Sequence, residues 1–419
     1  MVALSASCWY TLSTGGKRHL ASLVDQGAAL YVRGLPPPGA ALDLSPFAQS
    51  SAAIAPECRA LGYRFNASRM LPAVLAGEAA AGRSFRGCGA ERLPAQAEEL
   101  LMLRHVDGSE RAAIFGLRHG KGHVIYDLHT DDEDCFETPL VRRLTSPDSR
   151  HQEIGALFAA DLAMGVDTQR LPPFNLTIDD RPVNFDHFNT AAVSTLLHHI
   201  EEVCPGAHTD FAWTPRQTSP CRGYLEVMKQ FSTGFVWHGL YRHVDHRAIG
   251  DPRAAFTRGK RLVSKIEERF GVRLQRIMIF PFERSPAHQF NLLLEAGFLA
   301  CVQEPRYPHN SDEYLDRFLE CSTPSIADPL LGFTTLYRYG MATLTRDRML
   351  AMVTLGLPII AYAHPDDLGM QRFARLRPRR GDVSYFDPVL SFASSKGLPS
   401  RSLEDIATEV NAVSASRAG

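Results

Sequence analysis

The sequence lacks the features that mark several classes of protein. No apolar run approaches the roughly 20 residues that a membrane-spanning helix needs. No Cys-x-x-Cys pair occurs among the 8 cysteines, so the sequence favours neither a thiolate zinc site nor a dense disulfide framework. Its 45 basic and 46 acidic side chains nearly cancel, which argues against nucleic acid or an anionic membrane as the main partner.

Two further motifs are missing. The first residues show no basic region followed by a long apolar stretch, so no secretory signal is visible and a cytoplasmic protein is expected. The Gly-Lys-Gly at residues 120–122 is not a phosphate loop, because the rest of Gly-x-x-x-x-Gly-Lys-Ser/Thr is absent. It predicts instead a tight hairpin between strands at residues 111–118 and 123–128.

What is present indicates an α/β protein of two domains. At 419 residues the chain is long enough for two substantial cores. Residues 1–165 predict a smaller α/β domain, with a helix near 20–24 and a glycine-bounded strand at 27–34. Residues 172–395 alternate strand and helix patterns, which predicts a distorted (β/α) barrel. Residues 396–419 predict a terminal helix at 402–413 and a disorder-prone tail.

Two adjacent carboxylates end an apolar run in the second domain. Residues 174–178 read as a buried strand, and Asp179 and Asp180 follow directly. Neighbouring carboxylates repel each other unless a cation or a proton lies between them. An Asp-Asp-x-Pro sequence is also common in ordinary turns. In barrels of parallel strands the carboxyl ends of the strands carry the chemistry, so the pair predicts the mouth of a pocket.

Histidines follow other strand-like runs of the same domain. His238, His243 and His246 lie within one short segment, and His364 follows the apolar run at residues 357–363. One carboxylate and two imidazoles suit a borderline metal such as zinc, with water in the open positions. The alternative for each histidine is a structural role at the barrel rim, where its ring is hydrogen-bonded to the protein.

This ordered set of motifs resembles the polysaccharide deacetylase superfamily, which is NodB-like and also called carbohydrate esterase family 4. The chain looks most like divergent bacterial members, over residues 172–370. The Thr-Phe-Asp-Asp motif of the family corresponds to residues 177–180. Its His-x-x-x-His motif corresponds to His238 and His243, with one extra residue between them, and its late histidine to His364. The resemblance implies a barrel of the NodB type.

The third family motif, Arg-x-Pro-x-Gly, is only partly present. Pro281 matches its proline, but Ile279 stands at the arginine position and Glu283 at the glycine position. Arg181 or Arg284 would have to replace the arginine from another direction. The departures leave an alternative open, in which the barrel is a catalytically weak or inactive glycan-binding protein.

The resemblance implies a metal-dependent hydrolase that removes acetyl groups from a glycan or an amino sugar. A divalent metal, with zinc as the first choice, polarises the acyl carbonyl, and a metal-bound water is the implied nucleophile. Asp179 is then the general base and His364 the acid that protonates the leaving amine. The implied metal ligands are Asp180, His238 and His243, with His246 as the alternative second histidine.

Carbohydrate is therefore the expected substrate, and three side chains are predicted to contact it. Tyr241 and Phe282 follow strand ends and offer aromatic faces on which a sugar ring can lie, although either is equally compatible with a core position. Arg284 is the third candidate. Trp237 is expected in the core.

The first domain resembles the later part of a class I glutamine amidotransferase-like domain, through its helix, its glycine-ended strand and its late hairpin. Amidotransferase activity needs a cysteine on a sharp strand-to-helix turn. After the strand ending at Gly34 there is only Leu-Pro-Pro-Pro, and Cys8 precedes that strand. We therefore expect this domain to be non-catalytic.

Overall fold

The computed structural model describes residues 2–37, 41–48, 51–55, 58–71, 75–128, 171–179, 190–217, 222–244, 246–283, 289–304, 326–327, 334–365, 367–368 and 382–418. The chain divides into two compact units, whose described parts lie within 2–128 and 171–418. Among the described residues, no helix is long and apolar enough to cross a bilayer.

The first unit is built on a nine-stranded mixed sheet. Its strands follow the order β1-β2-β9-β8-β7-β4-β5, with β3 and β6 paired beside β8. β1, β2 and β9 are parallel neighbours, and the other pairs are antiparallel. The elements are β1 (Val2–Ser5), α1 (Ala6–Thr11), α2 (Thr14–Asp25), β2 (Ala29–Arg33), β3 (Ala53–Ile54), β4 (Cys58–Phe65), β5 (Ala79–Gly87), β6 (Ala90–Arg92), β7 (Glu98–His105), β8 (Glu110–His119) and β9 (Gly122–Asp127).

Local signals in the sequence account for the predicted elements of this unit. The helix expected near residues 20–24 is α2, which begins after Ser13, whose hydroxyl accepts a hydrogen bond from the Gly16 N–H. The glycine-bounded strand is β2, and the predicted hairpin joins β8 to β9. Gly120 turns that hairpin with a φ of +58°, a backbone conformation that favours glycine. The similarity to an amidotransferase-like domain stays a prediction.

The second unit alternates strands with helices. Its strands are β10 (Phe174–Ile178), β11 (Thr209–Trp213), β12 (Thr233–His238), β13 (Leu274–Ile279), β14 (Ala300–Gln303), β15 (Ile326–Ala327), β16 (Thr334–Tyr337), β17 (Tyr339–Gly340) and β18 (Ile359–Ala363). Its helices are α3 (Thr190–Val203), α4 (Arg222–Met228), α5 (Pro252–Phe270), α6 (Phe290–Glu295), α7 (Arg346–Thr354), α8 (Asp387–Lys396) and α9 (Leu403–Ala418).

One short run of chain closes this sheet into a distorted barrel. The strand order is β15-β16-β14-β13-β12-β11-β10-β18-β17, and every neighbouring pair is parallel except β15–β16. β16 and β17 lie near opposite ends of that order, yet only Arg338 separates them in the chain. β16 pairs with β14 and β17 pairs with β18, so the two edges of the sheet meet at Arg338. The α/β fold with a (β/α) barrel is thus as the sequence predicts.

The barrel interior is apolar in the middle, and its amino end is covered by α9. The first turn of α9 contributes to the same core cluster as the strands, so residues 396–419, which the sequence sets apart, supply part of the barrel core. The helix continues to Ala418, whereas the sequence predicts an end near residue 413. The buried members of the cluster are Ala212, Val236, Ile277, Ile279, Ala300, Val302, Leu336, Ile360, Leu403, Ile406 and Ala407.

A buried carboxylate, Asp210, lies beneath this cluster at the amino ends of the strands. It accepts hydrogen bonds from Asn175 Nδ2 at 2.9 Å, from the Leu403 N–H at 2.9 Å and from Gln275 Nε2. The Nε2 atom of His208 lies 3.0 Å from Asp210 Oδ1. A Cβ at Gly234 would lie 2.3 Å from both the Asp210 carboxylate and the Gln275 amide, so a larger residue there would displace this hydrogen-bonded group. These bonds fix the start of α9 to the barrel.

The His208–Asp210 contact makes the stability of this unit depend on pH. Burial lowers the pKa of His208, but the hydrogen bond and the charge of Asp210 raise it by more than burial lowers it. The net pKa therefore lies above the ordinary value of 6.5. A raised folded-state pKa means that the stabilisation is complete below the unfolded-state pKa and is lost as the pH rises through the folded-state value. The free energy of unfolding should therefore fall over that interval.

We expect His208→Gln to flatten this dependence. At about pH 5 the variant should be less stable by about 1.5–3 kcal/mol, because a hydrogen bond to a charged group is lost. Denaturant unfolding of both proteins at closely spaced pH values measures the two slopes. Equal slopes would show that His208 is not the group responsible.

Candidate active site

Four polar side chains from different strands lie at the carboxyl end of the barrel. Asp179 follows β10, His238 is the last residue of β12, Arg338 joins β16 to β17, and His364 follows β18. β10 and β18 are parallel neighbours, and the Asp179 N–H donates to the Ala363 carbonyl at 2.9 Å. Asp179 and His364 therefore leave adjacent strands at the same level. The sequence predicts three of these residues as site residues, and the structure adds Arg338.

Arg338 and Asp179 form a buried, two-pronged ion pair. Arg338 Nη1 donates to Asp179 Oδ1 at 2.6 Å, and Nη2 donates to Oδ2 at 2.6 Å. Both side chains are almost completely inaccessible to solvent. The planar fork of a guanidinium matches a carboxylate in this geometry and fixes its orientation.

The sequence analysis does not name Arg338 among the candidates for a replacement arginine. The sequence leaves Arg181 and Arg284 as the candidates, and both lie outside the described residues. Their roles stay predictions, and the arginine seen to bind Asp179 comes from the run that closes the barrel. No motif spacing indicated it, because the two residues are 159 positions apart.

The surroundings of Asp179 favour its charged form. Burial raises the pKa of this carboxyl. A larger opposite effect comes from the charge of Arg338, the charge of His238, the hydrogen bonds from Arg338 and the charge of His364, which together lower the pKa. The net pKa lies below the ordinary value of 3.8, so Asp179 is an anion at neutral pH. The charges of both His238 and His364 thus favour the ionised form of Asp179.

His238 and His243 lie side by side. Their ring centroids are 5.0 Å apart, with His238 buried and His243 half-buried. Gly239 makes this possible, because its φ of +83° turns the chain immediately after β12. A Cβ there would lie 3.0 Å from the Arg242 carbonyl. The turn accommodates the extra residue between the histidines.

His246, the alternative second histidine, is occupied elsewhere. Its Nδ1 lies 2.9 Å from Gln289 Oε1, and its Nε2 accepts a hydrogen bond from the Leu240 N–H at 3.3 Å. Gln289 Nε2 also donates to the His246 carbonyl at 3.0 Å. Because both ring nitrogens bind protein groups, His246 packs as a structural residue, and the geometry favours His243 as the neighbour of His238.

The residues that are described fit two ligands of a divalent metal. His238 and His243 supply adjacent imidazoles, and imidazole suits zinc. The third predicted ligand, Asp180, lies outside the described residues. Within the described residues, no three His, Cys, Asp or Glu side chains come close enough to hold a metal ion. Asp179 is bound to Arg338, and Asp180 stays a predicted ligand.

His364 is held by its own loop. Its backbone N–H donates to Asp367 Oδ2 at 2.9 Å, and its Nδ1 lies 3.6 Å from the same oxygen. The ring also meets the Tyr362 ring edge-on, with centroids 5.6 Å apart. With 44% of its side chain exposed, His364 is accessible from the mouth of the barrel.

Of the predicted substrate contacts, Phe282 and Tyr241 are described and Arg284 is not. Phe282 is 58% exposed, and its ring lies 4.9 Å from that of His243. Its φ of +60° is rare for a residue other than glycine. Tyr241 is half-buried and contacts two arginine side chains. Trp237 packs against Phe256 and Phe298 in the core, as the sequence predicts.

Comparisons with known proteins find structural likeness only. No protein-family model matches the sequence, and no characterised protein matches it significantly. A Mycobacterium smegmatis protein assigned as a polysaccharide deacetylase is 16% identical, with a TM-score of 0.42, over 59% of this chain and 93% of its own. The peptidoglycan deacetylase PdaC from Bacillus subtilis is 13% identical, with a TM-score of 0.34, over 59% of this chain and 96% of its own.

A family 4 carbohydrate esterase from Streptomyces lividans, solved in complex with acetate, is 10% identical. The likeness has a TM-score of 0.30 and spans 56% of this chain and 93% of that chain. At such identities and TM-scores, any function must be argued from the residues of the site itself.

Proposed function

We propose that the barrel is a metal-dependent hydrolase that removes acetyl groups from a glycan or an amino sugar. One observation carries the proposal: a buried, oriented carboxylate, Asp179, lies at the same strand ends of the barrel as the His238–His243 pair and His364. The motif order in the sequence supports the same reaction class. Acetyl transfer to water needs a base, an acid and an electrophile, and this arrangement has candidates for all three.

The residues of the chain divide the reaction between them. Asp179 accepts the proton of the attacking water, and Arg338 holds its carboxylate in one orientation while that happens. His364 protonates the departing amine, because an amide anion is a very poor leaving group. Asp367 holds the His364 backbone by a hydrogen bond, and its carboxylate lies 3.6 Å from the ring Nδ1. A zinc ion held by His238, His243 and Asp180 would supply Lewis-acid polarisation of the acyl carbonyl.

Phe282 and Tyr241 are the proposed substrate contacts. Phe282 presents an exposed ring beside His243, and sugar rings pack well against aromatic faces.

For the first unit we propose a non-catalytic, amidotransferase-like domain. Its support is the turn after β2, where Gly34 has a φ of +106° and no cysteine is present.

Metal content tests the proposal most directly. Purified wild-type chain should bind about one zinc ion, and His238→Ala should lose both the metal and the release of acetate from acetylated oligosaccharides. His246→Asn is the matched control, since His246 is an equally buried histidine whose ring nitrogens bind protein groups. It should lose stability but keep the metal.

Elemental analysis and acetate assays on the three proteins decide between the outcomes. Zinc retained by His238→Ala would contradict the assigned ligands. If wild-type chain binds no divalent metal at neutral pH but still binds acetylated oligosaccharides, the inactive glycan-binding barrel is the better account.

A further inference from the structure

An aromatic ring lies against the cation that holds Asp179. The Cζ atom of Arg338 is 4.4 Å from the centroid of the Tyr362 ring. Arg338 is completely buried, and a desolvated cation is strongly attracted to an aromatic face. Asp179 binds the edge of the guanidinium, while Tyr362 contacts it through the ring. Two contacts of different direction therefore fix the position of the guanidinium.

Tyr362 is itself held by a hydrogen bond to a residue that follows β14. Its hydroxyl donates to Glu304 Oε1 at 2.6 Å. Glu304 follows β14 and Tyr362 lies in β18, so this bond spans the run of β16 and β17 that carries Arg338. A phenol that donates to a carboxylate becomes more electron-rich, which strengthens its attraction for a cation.

The ring of Tyr362 also contacts His364, the proposed general acid. Tyr362 meets His364 edge-on, with an interplanar angle of 80°. It thus contacts both the partner of the proposed base and the proposed acid. A bulky side chain at this place restricts the rotation of both groups, and small errors in the position of catalytic groups have large effects on rate.

We propose that Tyr362, held by Glu304, is a positioning residue of this site. It sets the orientation of Arg338 toward Asp179 and limits the rotation of the His364 ring, without contacting the substrate. The effect on turnover rests on the proposed function, whereas the coupling between Tyr362 and Arg338 does not. The two parts can therefore be tested separately.

The kinetic test compares Tyr362→Phe, Tyr362→Leu and Glu304→Gln. Tyr362→Leu removes the ring and should lower kcat for deacetylation about 10²-fold, while KM changes about 2-fold or less. Tyr362→Phe keeps the ring but loses the bond to Glu304, and Glu304→Gln weakens that bond, so each should lower kcat by less than Tyr362→Leu does. A wholly structural role would not separate kcat from KM in this way.

Tyr339→Leu is the matched control. Tyr339 is a buried tyrosine of the barrel wall, and its ring also lies under a buried arginine, with Arg348 Cζ 5.5 Å from its centroid. The control should lose stability and lower kcat less than Tyr362→Leu does, because its ring contacts Arg348, whereas the ring of Tyr362 contacts Arg338. If Tyr362→Leu lowers kcat no more than Tyr339→Leu does, the positioning role is refuted.

The second test needs no turnover. The losses of unfolding free energy in Tyr362→Leu and Arg338→Met should be non-additive in the double variant, because the two residues share one interaction. Additive losses would overturn the coupling. If wild-type chain releases no acetate from any substrate, the proposed function fails, and the double-variant cycle still decides whether Tyr362 positions Arg338.

Discussion

Arg338→Met should abolish acetate release and lower the free energy of unfolding by about 3–5 kcal/mol. The substitution leaves Asp179 charged, buried and without its guanidinium, and an uncompensated buried charge is strongly destabilising. Activity should fall at least about 10²-fold, since the carboxylate loses the contact that orients it for proton transfer. Denaturant unfolding and acetate release measure the two losses on the same preparation.

Two companion variants separate charge from geometry. Arg338→Met combined with Asp179→Asn removes both charges, so stability should recover while activity stays absent. Arg338→Lys keeps a positive charge but replaces the two parallel bonds by a single ammonium, so it should be intermediate in both measurements. A single Arg338→Met variant as stable as the wild type would mean that the ion pair does not hold Asp179 in place.

His364→Ala should impair amide substrates far more than activated esters. An amine must be protonated as it leaves, whereas a good alcohol leaving group needs little protonation, so only the amide reaction depends on a strong acid. We expect a loss of about 10²–10⁴-fold on an N-acetylated oligosaccharide and a much smaller loss on an activated acetyl ester. Zinc content should be unchanged, because His364 is not a proposed ligand.

The contact that orients His364 provides a graded comparison. Asp367→Asn weakens the acceptor that the His364 N–H and ring face, so it should reproduce part of the amide-specific loss. Equal losses of both substrates in His364→Ala, or loss of the metal, would assign the histidine some other role.

The sequence could predict the parts of the site that depend on strand ends. Asp179, His238 and His364 each follow a buried apolar run, and parallel strands bring such ends to the same side of a sheet. The register of β10 against β18 then places Asp179 beside His364. Local spacing is enough for this step, because it requires only the strand bounds and their common direction.

Arg338 could not be predicted in the same way. Its proximity to Asp179 depends on the closure of the barrel, which joins strands far apart in the chain. Spacing alone also could not decide between His243 and His246, because the decision depends on the turn at Gly239 and on the hydrogen bonds of Gln289. The packing of α9 against the barrel could not be predicted for a similar reason. An amphipathic pattern indicates that a helix has a buried face but not which element that face contacts.

The run from β16 to β17 closes the barrel and also carries Arg338, which belongs to the proposed site. Separation of β14 from β18 at this point would withdraw Arg338 from Asp179 and leave two buried charges apart. Local opening of the barrel at this point would break the Arg338–Asp179 ion pair. Loss of that ion pair would in turn weaken the closure of the barrel. If the proposed function holds, substitutions at Arg338 change activity and the stability of barrel closure together, so activity reports on whether the barrel is closed.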